Sequence, residues 1–165
     1  MPAIKVSAAK GLHQVTGTTA IKSGTLSGHA KVVTQVSGDT TLTVDDSGKI
    51  FTLVGTAAYD LTLPTATTSA EADALLGWNV IVINEVVDAN NTDDRKIVRG
   101  DTSNDTLIGN IVDAAADGAA GLTLGSHQII FDASAADAPG DMVEIFCFSA
   151  DATNTKFVAR GICAA

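Results

Sequence analysis

Apolar and polar positions alternate along much of this chain, and the alternation predicts strands. In Leu42-Thr43-Val44 and again in Ile50-Phe51-Thr52-Leu53, apolar residues take turns with Thr and Asp. That period of two marks strands with one buried face. Between the two runs, Asp46-Ser47-Gly48 supplies the residues of a tight turn. Asp60-Leu61-Thr62-Leu63 repeats the alternation, and Pro64 closes it because proline has no place inside a central strand. Gly77 to Asn84 is a nearly unbroken apolar run, expected for a strand in the middle of a sandwich core.

Further along, the polar segment Asp88 to Asp94 reads as a solvated hairpin loop between strands Ile81–Val87 and Lys96–Val98. Leu122–Leu124 and Gln128–Phe131 are predicted as short strands, with loops over Asp113–Gly121 and Asp132–Gly140, the second ending in a Pro-Gly turn. Met142 to Phe148 puts Val143, Ile145 and Cys147 on one face, and Met142, Glu144, Phe146 and Phe148 on the other. Glu144 interrupts the second set. That face is therefore expected to be covered incompletely, or covered by another subunit. Lys156 to Gly161 forms the closing strand.

One segment departs from this pattern. Thr68 to Leu76 predicts a short helix, with Ser69 as its cap, Glu71 and Asp73 near its positive end, and Gly77 as its stop. The resulting fold class is all-β: a sandwich or jelly-roll-like body with at most one short helix, about residues 68–76. At 165 residues the chain is large enough for one core without staples. Aromatics make up only 4% of it, so the core must consist of Val, Ile, Leu and Ala.

Residues 1–38 read as an extended N-terminal arm, and 39–165 as the sandwich domain. Glycines interrupt the arm's short Thr-, Ser-, Val- and Lys-rich runs. Ile21–Leu26 and Ala30–Val36 are each candidates for a short strand, and Lys31–Val36 also fits as the first strand of the sheet. Charge divides unevenly too. Lys5, Lys10, Lys22 and Lys31 against Asp39 alone give residues 1–40 a balance of +3, and the chain's net −9 leaves −12 for the remainder. An acidic body excludes a nucleic-acid partner, whose phosphates demand a basic face. No apolar leader follows Met1-Pro2-Ala3-Ile4-Lys5, and no run approaches the ~20 apolar residues of a membrane helix. The chain is thus expected to be made in a cytoplasm and to have no membrane partner.

Cys147 and Cys163 are expected to be free thiols. A turn at Asp151–Asn154 sets Cys147 opposite Val158 and Cys163 opposite Met142, with the sulfurs about 15 Å apart, too far to bridge.

Thr43-Val44-Asp45-Asp46-Ser47-Gly48-Lys49-Ile50-Phe51-Thr52-Leu53, Thr62-Leu63-Pro64 and Gly77-Trp78 followed by an apolar strand together resemble a β-module of tailed-bacteriophage virion proteins. Thr106–Asn110, Pro139–Phe146 and Lys156–Gly161 continue the pattern in order. The module is that of head decoration, or capsid cement, proteins, and it is shared with some tail and fibre proteins. The likeness spans about residues 40 to 161. It departs where such modules carry a tryptophan in the last strand; this chain has Phe157 there, with its only tryptophan at Trp78. The resemblance implies a structural virion protein on the capsid surface, with the phage major capsid protein as partner and a homotrimer as the assembled form. Lys5, Lys10, Lys22 and Lys31 are the residues expected to touch the capsid.

Two alternatives stand beside it: a tail fibre or baseplate component, and a carbohydrate-binding module. Fibres need repeats or long shafts, which this short chain lacks. Sugar binding needs an aromatic platform, and Trp78 lies in a core-type run. No enzyme, cofactor or metal site is read from the chain. His13, His29 and His127 are scattered, and no nucleophile, phosphate-loop or dinucleotide motif occurs. Carboxylates alone leave a glycosidase pair open. Asp88–Asp94 lacks the glycine and terminal glutamate of a calcium loop.

Overall fold

The computed structural model describes residues 4–7, 11–14, 31–85, 94–113, 122–124, 128–131 and 139–163, with backbone alone at 4–7, 11–14, 111–113, 122–124 and 163. The chain divides into two compact units, Met1–Ala30 and Lys31–Ala165. In the first, β1 (Ile4–Ser7) and β2 (Gly11–Gln14) pair antiparallel, with Lys5 opposite His13 and Val6 opposite Leu12. A stretch expected as extended arm thus contains a paired ribbon, which follows the alternation of Ile4, Val6 and Leu12 with polar residues.

The second unit is mostly β. Its strands are β3 (Val33–Val36), β4 (Thr40–Thr41), β5 (Ile50–Leu53), β6 (Tyr59–Thr62), β7 (Asn79–Asn84), β8 (Arg95–Val98), β9 (Thr106–Asp113), β10 (Leu122–Leu124), β11 (Gln128–Phe131), β12 (Met142–Ala150) and β13 (Thr155–Cys163). They form a five-stranded sheet in the order β10-β11-β8-β6-β4 and a six-stranded sheet in the order β3-β5-β7-β12-β13-β9. From β3 to β9 the chain changes sheet at every strand. Each return to a sheet comes two elements later, running in the same direction, so β3, β5 and β7 are parallel neighbours, as are β4, β6 and β8. The β12–β13 and β10–β11 pairs are antiparallel hairpins, and β9 closes the larger sheet parallel to β13.

This alternation corrects one expectation. β7 and β8 belong to different sheets, so the segment around Asp88–Asp94 does not join a hairpin; residues 88–93 lie outside the described residues. Lys31–Val36 does supply the first strand of the larger sheet, as its edge.

Local chemistry accounts for the punctuation. Leu42-Thr43-Val44 does not continue as strand, because Val44–Asp46 forms a turn of 3-10 helix. The Asp46 carboxylate accepts from the Thr43 amide at 2.7 Å and its hydroxyl at 3.0 Å, a local bond that competes with strand pairing. Gly48 then takes φ 81°, where a side chain is disfavoured. The helix α1 (Ser69–Leu75) is capped by Thr68, not Ser69. Thr68 Oγ1 accepts from the Glu71 amide at 3.2 Å, while the Glu71 carboxylate accepts from the Thr68 amide at 3.1 Å. This reciprocal box needs Ser or Thr three residues before Glu, a spacing Thr68 has and Ser69 lacks.

The hairpin turn at Asp151–Asn154 is present. One Asp151 oxygen accepts from both backbone amides and side chains of Thr153 and Asn154. Those bonds, the Thr153 amide foremost, hold its pKa down to about 2. The register beyond the turn differs from expectation. Ala150 faces Thr155 and Ser149 faces Lys156, but a bulge after Cys147 slips the pairing by one, so Cys147 faces Phe157 and Met142 faces Ile162. Cys147 is a buried free thiol, and burial raises its pKa. Its partner Phe157 precedes Cys163 by six positions on β13, about 20 Å along an extended strand.

The inward residues of both sheets meet in one apolar core. Leu61, Ile97, Ile129 and Phe131 come from the smaller sheet, Phe51, Leu53, Val80, Val82, Val143, Ile145 and Phe157 from the larger, and Leu75 from α1. Trp78 is buried among them. Its indole N–H donates to the Thr43 carbonyl at 3.0 Å, and its ring meets Phe157 edge-on at 5.8 Å. The Trp and the Phe that stands in the last strand thus fill one site together.

A polar tie joins the two sheets. Asp105, 1% exposed, accepts from the Thr155 amide at 2.7 Å and the Asp101 amide at 2.9 Å. Thr155, at the start of β13, accepts through its hydroxyl from the Ala66 amide at 3.1 Å, beyond β6. Arg99, just after β8, donates to the Asp105 carbonyl and, at 2.6 Å, to the Thr102 carbonyl.

Candidate functional site

The outer face of the six-stranded sheet carries the feature that core packing does not explain. Side chains alternate across a strand, so the register places the outward residues of successive strands in rows. One row runs Gln35, Thr52, Ile83, Met142, Ile162. The next runs Val33, Ile50, Ile81, Glu144, Arg160, Asn110, and the third Asn79, Phe146, Val158, Ile108. Ile108, Phe146, Phe148, Val158 and Ile162 are between 37% and 53% exposed. The strands are therefore apolar on both faces across much of the sheet, although only one face is core.

This revises the meaning of the unbroken run at Asn79–Asn84. Val80, Val82 and Asn84 point inward and are buried, whereas Ile81 and Ile83 are half-buried in the outer rows. The run marks a central strand, as expected, but its second apolar face looks outward. The strand pattern of Met142–Phe148 is as predicted: Val143, Ile145 and Cys147 are buried, Phe146 and Phe148 exposed.

In the middle of the apolar face sits one ion pair. Arg160 donates through Nε at 2.6 Å and Nη2 at 2.5 Å to Glu144 Oε2, across the β12–β13 pair. Shallow depressions flank it. One, of about 300 Å³, is lined by Phe146, Val158 and Ala159; the other, of about 420 Å³, by Met142, Asn110, Gly161 and Ile162; both share Glu144 and Arg160. Neither gathers the acid, base and nucleophile that a reaction requires. The chemistry this face offers is association: apolar area, flat backbone and a pair of opposite charges.

Of the four lysines singled out from the sequence, two are among the described residues, one in each unit. Lys5 lies in β1 of the first unit, Lys31 is exposed at the start of the second, and Lys10 and Lys22 lie outside the described residues. His13 is in β2, and His29 and His127 lie outside the described residues. Asp94, the described end of the acidic segment, pairs with Lys96 at 3.8 Å. Among the described residues no three His, Cys, Asp or Glu side chains gather to hold a metal ion, and no helix is long and apolar enough to cross a membrane. The burial of Trp78 removes the only tryptophan from any sugar platform.

Sequence reading reached the β12 portion of the face and missed the rest. Val158, Ile162 and Ile108 alternate with small or buried residues on β13 and β9, a signal that was available. What it lacked was the neighbour order that sets them beside Phe146. Comparison with protein-family models, with curated proteins and with solved structures finds no match to this chain.

Proposed function

We propose that this chain is a structural virion protein, a capsid decoration protein that binds the outer surface of an assembled phage shell and stabilises it. The observation that carries the reading is the exposed apolar outer face of β12, β13 and β9, an association surface on a strand-built body. The sequence pattern of the virion β-module supports it, as does a two-sheet body of the sandwich type. A cement protein works through many copies on a symmetric lattice, where weak contacts multiply. Its copies associate with one another through the sheet face and grip the acidic or polar shell surface through Lys5, Lys10, Lys22 and Lys31.

Co-sedimentation of the full chain with undecorated capsids tests this. The expected result is saturable binding at a fixed ratio to capsid subunits, weakened at least ten-fold by replacing the four lysines with Glu or by raising salt. Absence of binding to heads, with recovery on tails or on neither, overturns the decoration reading.

A further inference from the structure

The sheet face has a shape and charge that select one partner. The second unit, Lys31–Ala165, is strongly acidic: the chain's net −9, less the three positive charges of Lys5, Lys10 and Lys22, leaves −12 on it. Two such bodies repel over most of their surfaces. The outer face of the larger sheet is not acidic. Of its outward positions only Glu144, Arg160 and Lys156 ionise, one acid against two bases. The outer face of the smaller sheet, with Asp60 opposite Lys96, is balanced too, but among the described residues only the larger sheet's face also exposes large apolar side chains on its strands.

The rows also complement themselves. Across the seam between β12 and β13, Glu144 faces Arg160, Phe146 faces Val158 and Met142 faces Ile162. A two-fold axis laid along that seam, between two faces, sets β12 of one copy over β13 of the other. Each acid then lies over a base, and each large apolar side chain over a branched or shorter one. Arg160, with its side chain 81% exposed, can reach the second carboxylate without leaving the first. Strands related this way run in nearly the same direction, the arrangement in which twisted sheets pack. The seam lies off the sheet's centre, so β7, β12, β13 and β9 overlap while β3 and β5 do not. Four strands at ~4.8 Å and three rows at ~6.6 Å cover about 380 Å² of each copy, about half the ~800 Å² per partner of a standard interface. That suits an association of modest strength.

We infer that the outer face of the six-stranded sheet seats a second copy of this chain, face to face about a two-fold axis, with Arg160 of each copy on Glu144 of the other. This rests on reading the face as an association surface, and does not require the capsid.

Charge reversal in trans tests it on the full chain by sedimentation velocity. At about 100 μM, where a micromolar interface is filled, the unaltered chain is expected to sediment as a pair. Glu144→Arg alone and Arg160→Glu alone each place like charges face to face, and each is expected to weaken pairing at least ten-fold. Mixing the two variants in equal amounts sets an all-basic centre against an all-acidic one, and is expected to restore a mixed pair. Within each chain of that mixture the cross-strand pair stays broken, so restoration cannot come from repaired folding. A monomer for the unaltered chain, a three-copy species, pairing that survives both single variants, or a mixture that stays monomeric overturns the inference. Capsid binding by a chain that is monomeric throughout would retain the decoration reading while rejecting this one.

Discussion

Gly109→Ala is expected to lower the stability of this protein by about 3 kcal/mol or more, at the top of the ~1–3 kcal/mol range for overpacking. β9 lies parallel to β13 with Gly109 opposite Ala159. A Cβ at position 109 would stand 1.8 Å from the Ala159 carbonyl oxygen and 2.7 Å from its carbonyl carbon. These are backbone atoms of the pairing at the sheet's edge, and no side-chain rotation relieves the clash. Either β9 detaches from the sheet edge or β13 shifts, and both loosen the row that holds Ile108 and Val158 together. For a chain of this length, 3 kcal/mol corresponds to a fall of roughly 6–12 °C in Tm. Gly38→Ala is the control. Nothing lies within 4 Å of the added carbon there, and the melting temperature should stay within about 1–2 °C of the unaltered chain. Equal melting temperatures for the two variants would show that β9 does not approach β13 as described.

Asp105→Ala is the second large effect, expected to lower stability by about 2–5 kcal/mol. Its carboxylate is the acceptor for the buried Thr155 amide and for the Asp101 amide, and alanine leaves both without it. Each buried donor left unsatisfied costs about 1–3 kcal/mol. The loss also reaches the other sheet, because Thr155, whose amide Asp105 holds, accepts through its hydroxyl from the Ala66 amide beyond β6. Asp105→Asn keeps one oxygen acceptor and introduces a donor beside a donor, so its loss should be intermediate. Urea unfolding of both variants separates them. An Asn variant as damaged as the Ala variant would mean that charge, not acceptor count, holds the tie; an undamaged Ala variant would remove the tie from the account.

The individual strands were largely legible in the chain, because alternation is a local property. β5, β6, β11, β12 and β13 fall where apolar residues repeat every second position, β7 falls on the unbroken apolar run, and Pro64 and Gly77 mark boundaries near the predicted ones. The sheet to which each strand belongs was not legible. Lys96–Val98 looks like the return strand of a hairpin with Ile81–Val87, yet it crosses to the smaller sheet and pairs with β6 and β11. Nothing within those residues records the crossing; it follows from partners tens of residues away. The same holds for Gly109, whose need arises only from the closeness of Ala159, and for Asp105, which reads as one more loop acid.

The association face was legible in part. Glu144 among Met142, Phe146 and Phe148 betrayed a strand with an uncovered side, since a fully buried side rarely holds a lone charge. The partner charge, Arg160, sits 16 residues on, and only the hairpin register, with its bulge after Cys147, brings the two together. A register one residue away would have turned Arg160 inward.

Hydroxyl-radical footprinting of side chains, comparing the dilute free chain with its assembled form, tests the claim that this face is an association surface. Met142, Phe146, Phe148 and Ile162 are expected to lose most of their labelling on assembly, while Ile130, half-buried on the outer face of the five-stranded sheet, keeps its own. Equal labelling of Phe146 and Phe148 in the free and assembled forms would contradict it.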